Sequence, residues 1–171
     1  MSDTIVTLGG NPVSLEGAQL KTGDKAPAFV LQQNSPSGLK EVSLADFAGK
    51  TLVLSVVPSV DTAVCAIQTK KFNERAAQLP DDVAILTVST DLPFAQARFC
   101  GAEGIDKLQS ASDHRDVSFG RSYGVLIADG PFKRVLARAI FVVGPEGTLK
   151  HVEYVSEIAH EPNYDAALSA L

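Results

Sequence analysis

The chain has 171 residues, 45% of them hydrophobic and 20% charged, with a formal net charge of −5. That composition fits one globular domain spanning 1–171 with a proper core, and the acidic balance excludes a basic nucleic-acid or anionic-membrane surface. No apolar run approaches the roughly 20 residues of a membrane-spanning helix, and Met1-Ser2-Asp3-Thr4 lacks the features of a secretion signal, so a cytoplasmic protein is expected. Two cysteines are too few for a disulfide scaffold or a cysteine-only zinc site. The histidines (His114, His151, His160) show no metal-ligand spacing and Gly9-Gly10 matches no phosphate loop, so no metal or cofactor is expected.

In chain order, Thr4 to Leu8, Gly9-Gly10-Asn11-Pro12 and Val13 to Leu15 predict a small β-hairpin, within about residues 3–16. Phe29 to Leu31 reads as a strand, Asn34 to Gly38 as a turn cluster and Leu39 to Val42 as a strand. Ser43 to Asp46 opens one helical turn ending near Gly49. Thr51 to Val57 is a short β-branched apolar run, hence a buried strand, and Pro58 stops it because proline cannot donate to a ladder. A helical pattern follows Asp61-Thr62 and runs to about Leu79. Val83 to Ser89 is a second buried strand. Asp91 can cap the next helix, with Pro93 in its first turn and a stop at Gly101. Two βα units in succession imply parallel strands with right-handed crossovers. Further strands are predicted at Leu108 to Ala111, Val125 to Ile127, Arg138 to Val143 and Thr148 to Val155, with a short helix at Asp116 to Tyr123 and a last helix capped by Asn163, from Tyr164 to Leu171. By analogy this order is the thioredoxin-like plan: an α/β fold on a mixed sheet flanked by helices, with the N-terminal hairpin added.

Cys65 falls in the first turn of a helix that follows a buried strand. The partial positive charge and unpaired N–H groups of a helix N-terminus favour a thiolate, so a reactive cysteine is expected here, although free cysteines are also common inert core residues. Thr62 lies three residues earlier and faces the same way; it can donate to the Cys65 sulfur or to a substrate oxygen, act as the N-cap, or both. Pro58 either ends the strand alone or also keeps water off the sulfur. Asp61 is expected to point outward. Cys100 lies on a different helix, so the pair is not C-x-x-C; it is either a core-facing thiol or one that captures an oxidised Cys65. Arg138 opens a strongly apolar strand, where arginine needs a partner: a thiolate across the sheet, or a surface carboxylate at an edge. No histidine is placed beside Cys65, which leaves a Cys-His hydrolase without support.

Pro58-x-x-x-Thr62-x-x-Cys65 resembles the peroxiredoxin active-site motif, and Pro58 to Cys65 is similar to that of the atypical two-cysteine peroxiredoxins of the thiol peroxidase (Tpx) type. Ser89 to Gly101 resembles the stretch carrying that family's resolving cysteine. Gly10-Asn11-Pro12-Val13, Tyr123-Gly124-Val125, Ala128 to Pro131 and Ala137-Arg138-Ala139 extend the likeness over essentially the whole chain. The resemblance implies a thiol-dependent peroxidase acting on hydrogen peroxide and organic hydroperoxides. It makes Cys65 the peroxidatic cysteine, which becomes a sulfenic acid, and Cys100 the resolving one, closing a disulfide within the chain. Thr62 and Arg138 then hold the thiolate and polarise the peroxide, and Pro58 shields the site. It further implies thioredoxin as reductant, a homodimer and a role in antioxidant defence. Because disulfide geometry needs Cα atoms within about 7 Å, the first turn of the Cys65 helix and the end of the Cys100 helix are expected to unwind locally. A single-use redox sensor and a thioredoxin-like binding module with inert cysteines are the competing classes; multiple turnover with a reductant and rapid reaction with peroxide separate them from the enzyme.

Overall fold

A computed structural model describes residues 5–171. The predicted hairpin is present as Val6–Leu8 (β1) and Asn11–Val13 (β2), paired antiparallel; Asp3 and Thr4, where it was expected to begin, lie outside the described residues. Its turn is tighter than the four residues expected. Gly9 and Gly10 alone form it, with φ of 58° and 83°, a left-handed pair that suits the twist of a two-residue hairpin. Leu15–Glu16 (β3) follows. Val30–Ser35 (β4) and Gly38–Ser43 (β5) form a second hairpin whose pairing extends to Ser35 and Gly38, so much of the predicted turn cluster is strand. Leu44–Phe47 is a 3-10 turn, entered through a Ser43 N–H donated to Asp46 Oδ2 at 2.8 Å.

The remaining elements are Thr51–Val56 (β6), Ala63–Ala76 (α1), Val83–Ser89 (β7), Pro93–Glu103 (α2), Gln109–Ser112 (β8), Ser118–Ser122 (α3), Leu126–Ile127 (β9), Ala139–Val143 (β10), Leu149–Tyr154 (β11) and Tyr164–Leu168 (α4). Seven strands form one sheet in the order β11-β10-β6-β7-β8-β4-β5. β6, β7 and β8 run parallel because helices carry the chain back between them; β10 is antiparallel to both β6 and β11, and β4 to both β8 and β5. This is the mixed, helix-flanked sheet expected. Three helix ends differ from expectation. α2 continues through Gly101 to Glu103, and Gly104 (φ 67°) takes the left-handed position that ends it. α1 and α4 stop a few residues short of Leu79 and Leu171.

Side chains alternate between the two faces of the sheet. On one face Leu52, Leu54, Val56, Leu86, Val88 and Phe141 pack with Phe29, Phe119 and Tyr123, the last two stacked with ring centroids 4.2 Å apart. On the other, Val53, Ile85, Ile140 and Val142 meet Phe72 of α1 and Ala167 of α4. That second face changes character along its length. Ser55 is opposite Thr87, Thr87 opposite Ser110 and Ser89 opposite Ser112, a row of hydroxyls that meets Gln68 of α1 and Gln96 of α2. The helices are held there by polar contacts: Gln68 Nε2 donates to Ser55 Oγ at 2.8 Å, and Gln96 Nε2 to Ser89 Oγ and the Ala111 carbonyl, both at 2.9 Å.

Candidate active site

Pro58 is buried at the end of β6, and the chain loops through Ser59 to Thr62 before α1 begins. Thr62 has the extended backbone of an N-cap, yet its side chain makes no capping bond. Its backbone N–H and its hydroxyl both donate to the Ser59 carbonyl, each at 3.2 Å. The hydroxyl proton is therefore committed to Ser59 rather than to the Cys65 sulfur, which leaves its lone pairs free. Cys65 is fully buried against Val57, Val60 and Phe99. Asp61 is exposed.

Arg138 is 2% exposed and its guanidinium uses all three nitrogens. Nη2 donates to Cys65 Sγ at 3.3 Å, Nη1 to Gln68 Oε1 at 2.8 Å and Nε to the Ile158 carbonyl at 2.9 Å. Gln68 is three residues beyond Cys65 on α1, hence on the same face, and is itself tied to Ser55 of β6. Arg138 is thus aimed at the sulfur by two elements that it did not have to share in sequence. No carboxylate among the described residues forms an ion pair with it; the edge-facing arginine with a surface carboxylate is not what the structure contains.

Cys100 lies in the last turn of α2, half-buried, with Sγ 3.4 Å from Ser110 Oγ. Burial pushes its thiol up, an effect the Ser110 contact partly offsets. Both cysteines are free thiols. The structure therefore gathers Pro58, Thr62, Cys65 and Arg138 at one corner. Cys100 is not among them; its neighbour Phe99 packs against the Cys65 cluster. Asp91 does not cap α2: Leu92 holds the N-cap position, and the Asp91 carboxylate instead accepts from Ser59 Oγ (2.7 Å), the Val60 N–H (2.9 Å) and Ser89 Oγ (2.6 Å). Sequence reasoning passed over Gln68 and the Ile158 carbonyl and read Asp91 only as a helix cap. For Gln68 a signal was present, a polar side chain on the same helical face as Cys65; for a backbone carbonyl none exists. A cavity of about 560 Å³ beside the corner is lined by Asp61, Phe94, Arg98 and Phe99. Among the described residues no cluster of potential ligands could hold a metal ion, and no helix is long and apolar enough to cross a membrane.

A buried cysteine at a helix start, faced by a buried arginine on a thioredoxin-like sheet, defines a class of thiol-redox proteins. Residues 21–168 match the Redoxin family. The chain is 51% identical over 165 residues to a thiol peroxidase of Bacillus subtilis, covering 96% of this chain and 95% of the relative. It is 52% identical over 166 residues to one of Streptococcus pneumoniae, covering 97% and 98%. Among solved structures it is similar to a peroxiredoxin-like protein from Aquifex aeolicus, with a TM-score of 0.90, 43% identity and coverage of 98% and 95%. The chain belongs to the redoxin family, in its thiol peroxidase branch, and is a peroxidase of the peroxiredoxin type.

Proposed function

We propose that Cys65 is the peroxidatic cysteine and Cys100 the resolving one of a two-cysteine cycle reducing hydrogen peroxide and organic hydroperoxides. The observation that carries this reading is the Arg138–Cys65 contact: a buried guanidinium that forms no carboxylate ion pair among the described residues, 3.3 Å from a buried sulfur. A buried charge needs a counter-charge, and the Cys65 thiolate supplies it. The thiolate attacks the nearer peroxide oxygen; an S–O bond forms, the O–O bond breaks, and the leaving oxygen takes a proton to become water or an alcohol. Arg138, the free N–H groups of the first helical turn and Thr62 stabilise the separating charge. The Thr62 hydroxyl, with its own proton engaged, serves first as acceptor for the peroxide proton, and Pro58 keeps water away.

The resulting sulfenic acid is the first, reversible rung of thiol oxidation. Cys100 then attacks the Cys65 sulfur; the S–S bond forms and water leaves. A dithiol reductant of the thioredoxin kind returns both thiols and becomes a disulfide itself. The polar attachment of α2, which buries only Pro93 and Gln96, favours the local unwinding that this step needs. In this reading residues 1–171 act as a single cytoplasmic domain, paired as a homodimer through surface that includes the exposed Leu92 and Phe94.

Thiol counting before and after one equivalent of hydroperoxide, with products mapped by mass spectrometry, tests the cycle. Loss of both thiols with a Cys65–Cys100 link inside one chain is expected. Loss of Cys65 alone points to a one-cysteine enzyme or a sensor, and survival of both thiols overturns the assignment. In Cys100→Ser the sulfenic acid persists and proceeds to sulfinic acid; turnover with thioredoxin equal to the parent's removes Cys100 from the resolving role.

A further inference from the structure

The geometry points to Asp91 as a positioning residue: a latch that holds the Cys65 loop and the Cys100 helix in their folded arrangement and so sets how readily one oxidised cysteine meets the other. The inference rests on the two-cysteine reading above. Asp91 is half-buried, with no ion-pair partner among the described residues. Its carboxylate accepts three bonds, and two of the donors, Ser59 Oγ and the Val60 N–H, belong to the loop that leads into Cys65. Ser59 passes the constraint on, because its carbonyl receives both the Thr62 N–H and the Thr62 hydroxyl, and the Thr62 carbonyl receives the Ala66 N–H in the first turn of α1. The third donor, Ser89 Oγ, also receives Gln96 Nε2 from α2. Ser112 Oγ of β8 donates to the Asp91 carbonyl.

Asp91 itself lies just before Leu92 and Pro93, where α2 begins. The carboxylate thus holds the loop that leads into Cys65 directly and reaches α2 through Ser89 Oγ, which receives Gln96 Nε2. Bonds from neutral donors to an ionised acceptor are about twice as strong as neutral pairs, and the hydroxyl-lined face beneath offers α2 little apolar burial to replace them. Asp91 therefore stabilises the arrangement that receives peroxide and opposes the one that resolves.

Asp91→Asn keeps the shape but removes the charge and turns one acceptor into a donor facing N–H and O–H groups. In the reduced variant, amide exchange across residues 59–66 is expected to rise about tenfold, equivalent to about 1.4 kcal/mol of opening. After peroxide, disulfide closure accelerates, and the sulfinic fraction of Cys65 at high peroxide falls several-fold, while the initial peroxide step slows. Ser59→Ala, which removes one of the three bonds and keeps the charge, moves the same readouts in the same direction by less. A purely structural role would alter melting without changing the split between disulfide and sulfinic acid. Unchanged exchange over 59–66 in both variants, or slower closure, overturns the latch. Absence of any intrachain disulfide in the parent overturns the two-cysteine cycle instead, and exchange in the reduced proteins still decides whether Asp91 holds the loop.

Discussion

Arg138 does its work through geometry as much as charge. Its planar fork reaches Cys65, Gln68 and Ile158 at once, which a lysine ammonium cannot reproduce. Arg138→Lys is therefore expected to slow the reaction of Cys65 with peroxide by about 10²–10³-fold, the usual cost of losing a donor that stabilises developing negative charge; stopped-flow oxidation of Cys65 measures it, and a change below about twofold contradicts the role. Asp113 makes a different prediction. It is 1% exposed, and burial pushes its carboxyl up to about 6 despite bonds from the Gly120 and Phe119 N–H groups. The native state holds this proton more tightly than the unfolded chain, so the associated stability is complete below about pH 4 and lost as pH rises through 6. Urea midpoints of the parent and Asp113→Asn, compared from pH 4 to 7, are expected to diverge with that sign; parallel curves refute it.

At the scale of elements, the N-terminal hairpin is tied to the segment that holds Arg138. Thr7 exchanges backbone bonds with Ser156 and Ile158, and the Ile158 carbonyl receives Arg138 Nε. Glu157 secures the join: its carboxylate accepts from the Ala159, Gly10 and Gly9 N–H groups and from Thr7 Oγ1. Those bonds lower its carboxyl from 4.5 to about 2. A depressed carboxyl stabilises above its unfolded value and ceases to as pH falls through the folded one. Glu157→Gln is expected to speed amide exchange in β1 and β2 at neutral pH, and the difference from the parent should vanish as the pH falls towards 2. A hairpin equally protected in both chains at pH 7 counts against the anchor.

Across the molecule, the apolar half of the α1 face supplies the rigidity that its polar half lacks. Phe72 is fully buried among Val53, Ile85 and Ile140 and meets Tyr164 edge-on at 5.2 Å. Phe72→Ala is expected to cost about 3–5 kcal/mol, a fall in melting midpoint of about 10 °C for a chain of this length; calorimetry checks it. α2 has no such anchor, which matches an element asked to unwind.

The sequence by itself determined the buried strands, whose β-branched runs have one economical use, and the placing of Cys65 at a helix start, because Pro58 and the helical pattern bracket it. The hydroxyl row was written there too, as Ser55, Thr87 and Ser89 within apolar runs, but polar residues inside a strand do not say which helix will cover them. Asp91 looked like a cap because caps are local; two of its three donors lie about thirty residues earlier in the chain. Gly101 looked like a stop, yet only Gly104 adopts the left-handed turn. Tertiary structure alone decided that Arg138 faces Cys65, that Gln68 and a backbone carbonyl aim it, and that the two thiols stand on separately held segments. Periodicity and propensity act between near neighbours, whereas these contacts exist only once the sheet has brought distant parts of the chain together.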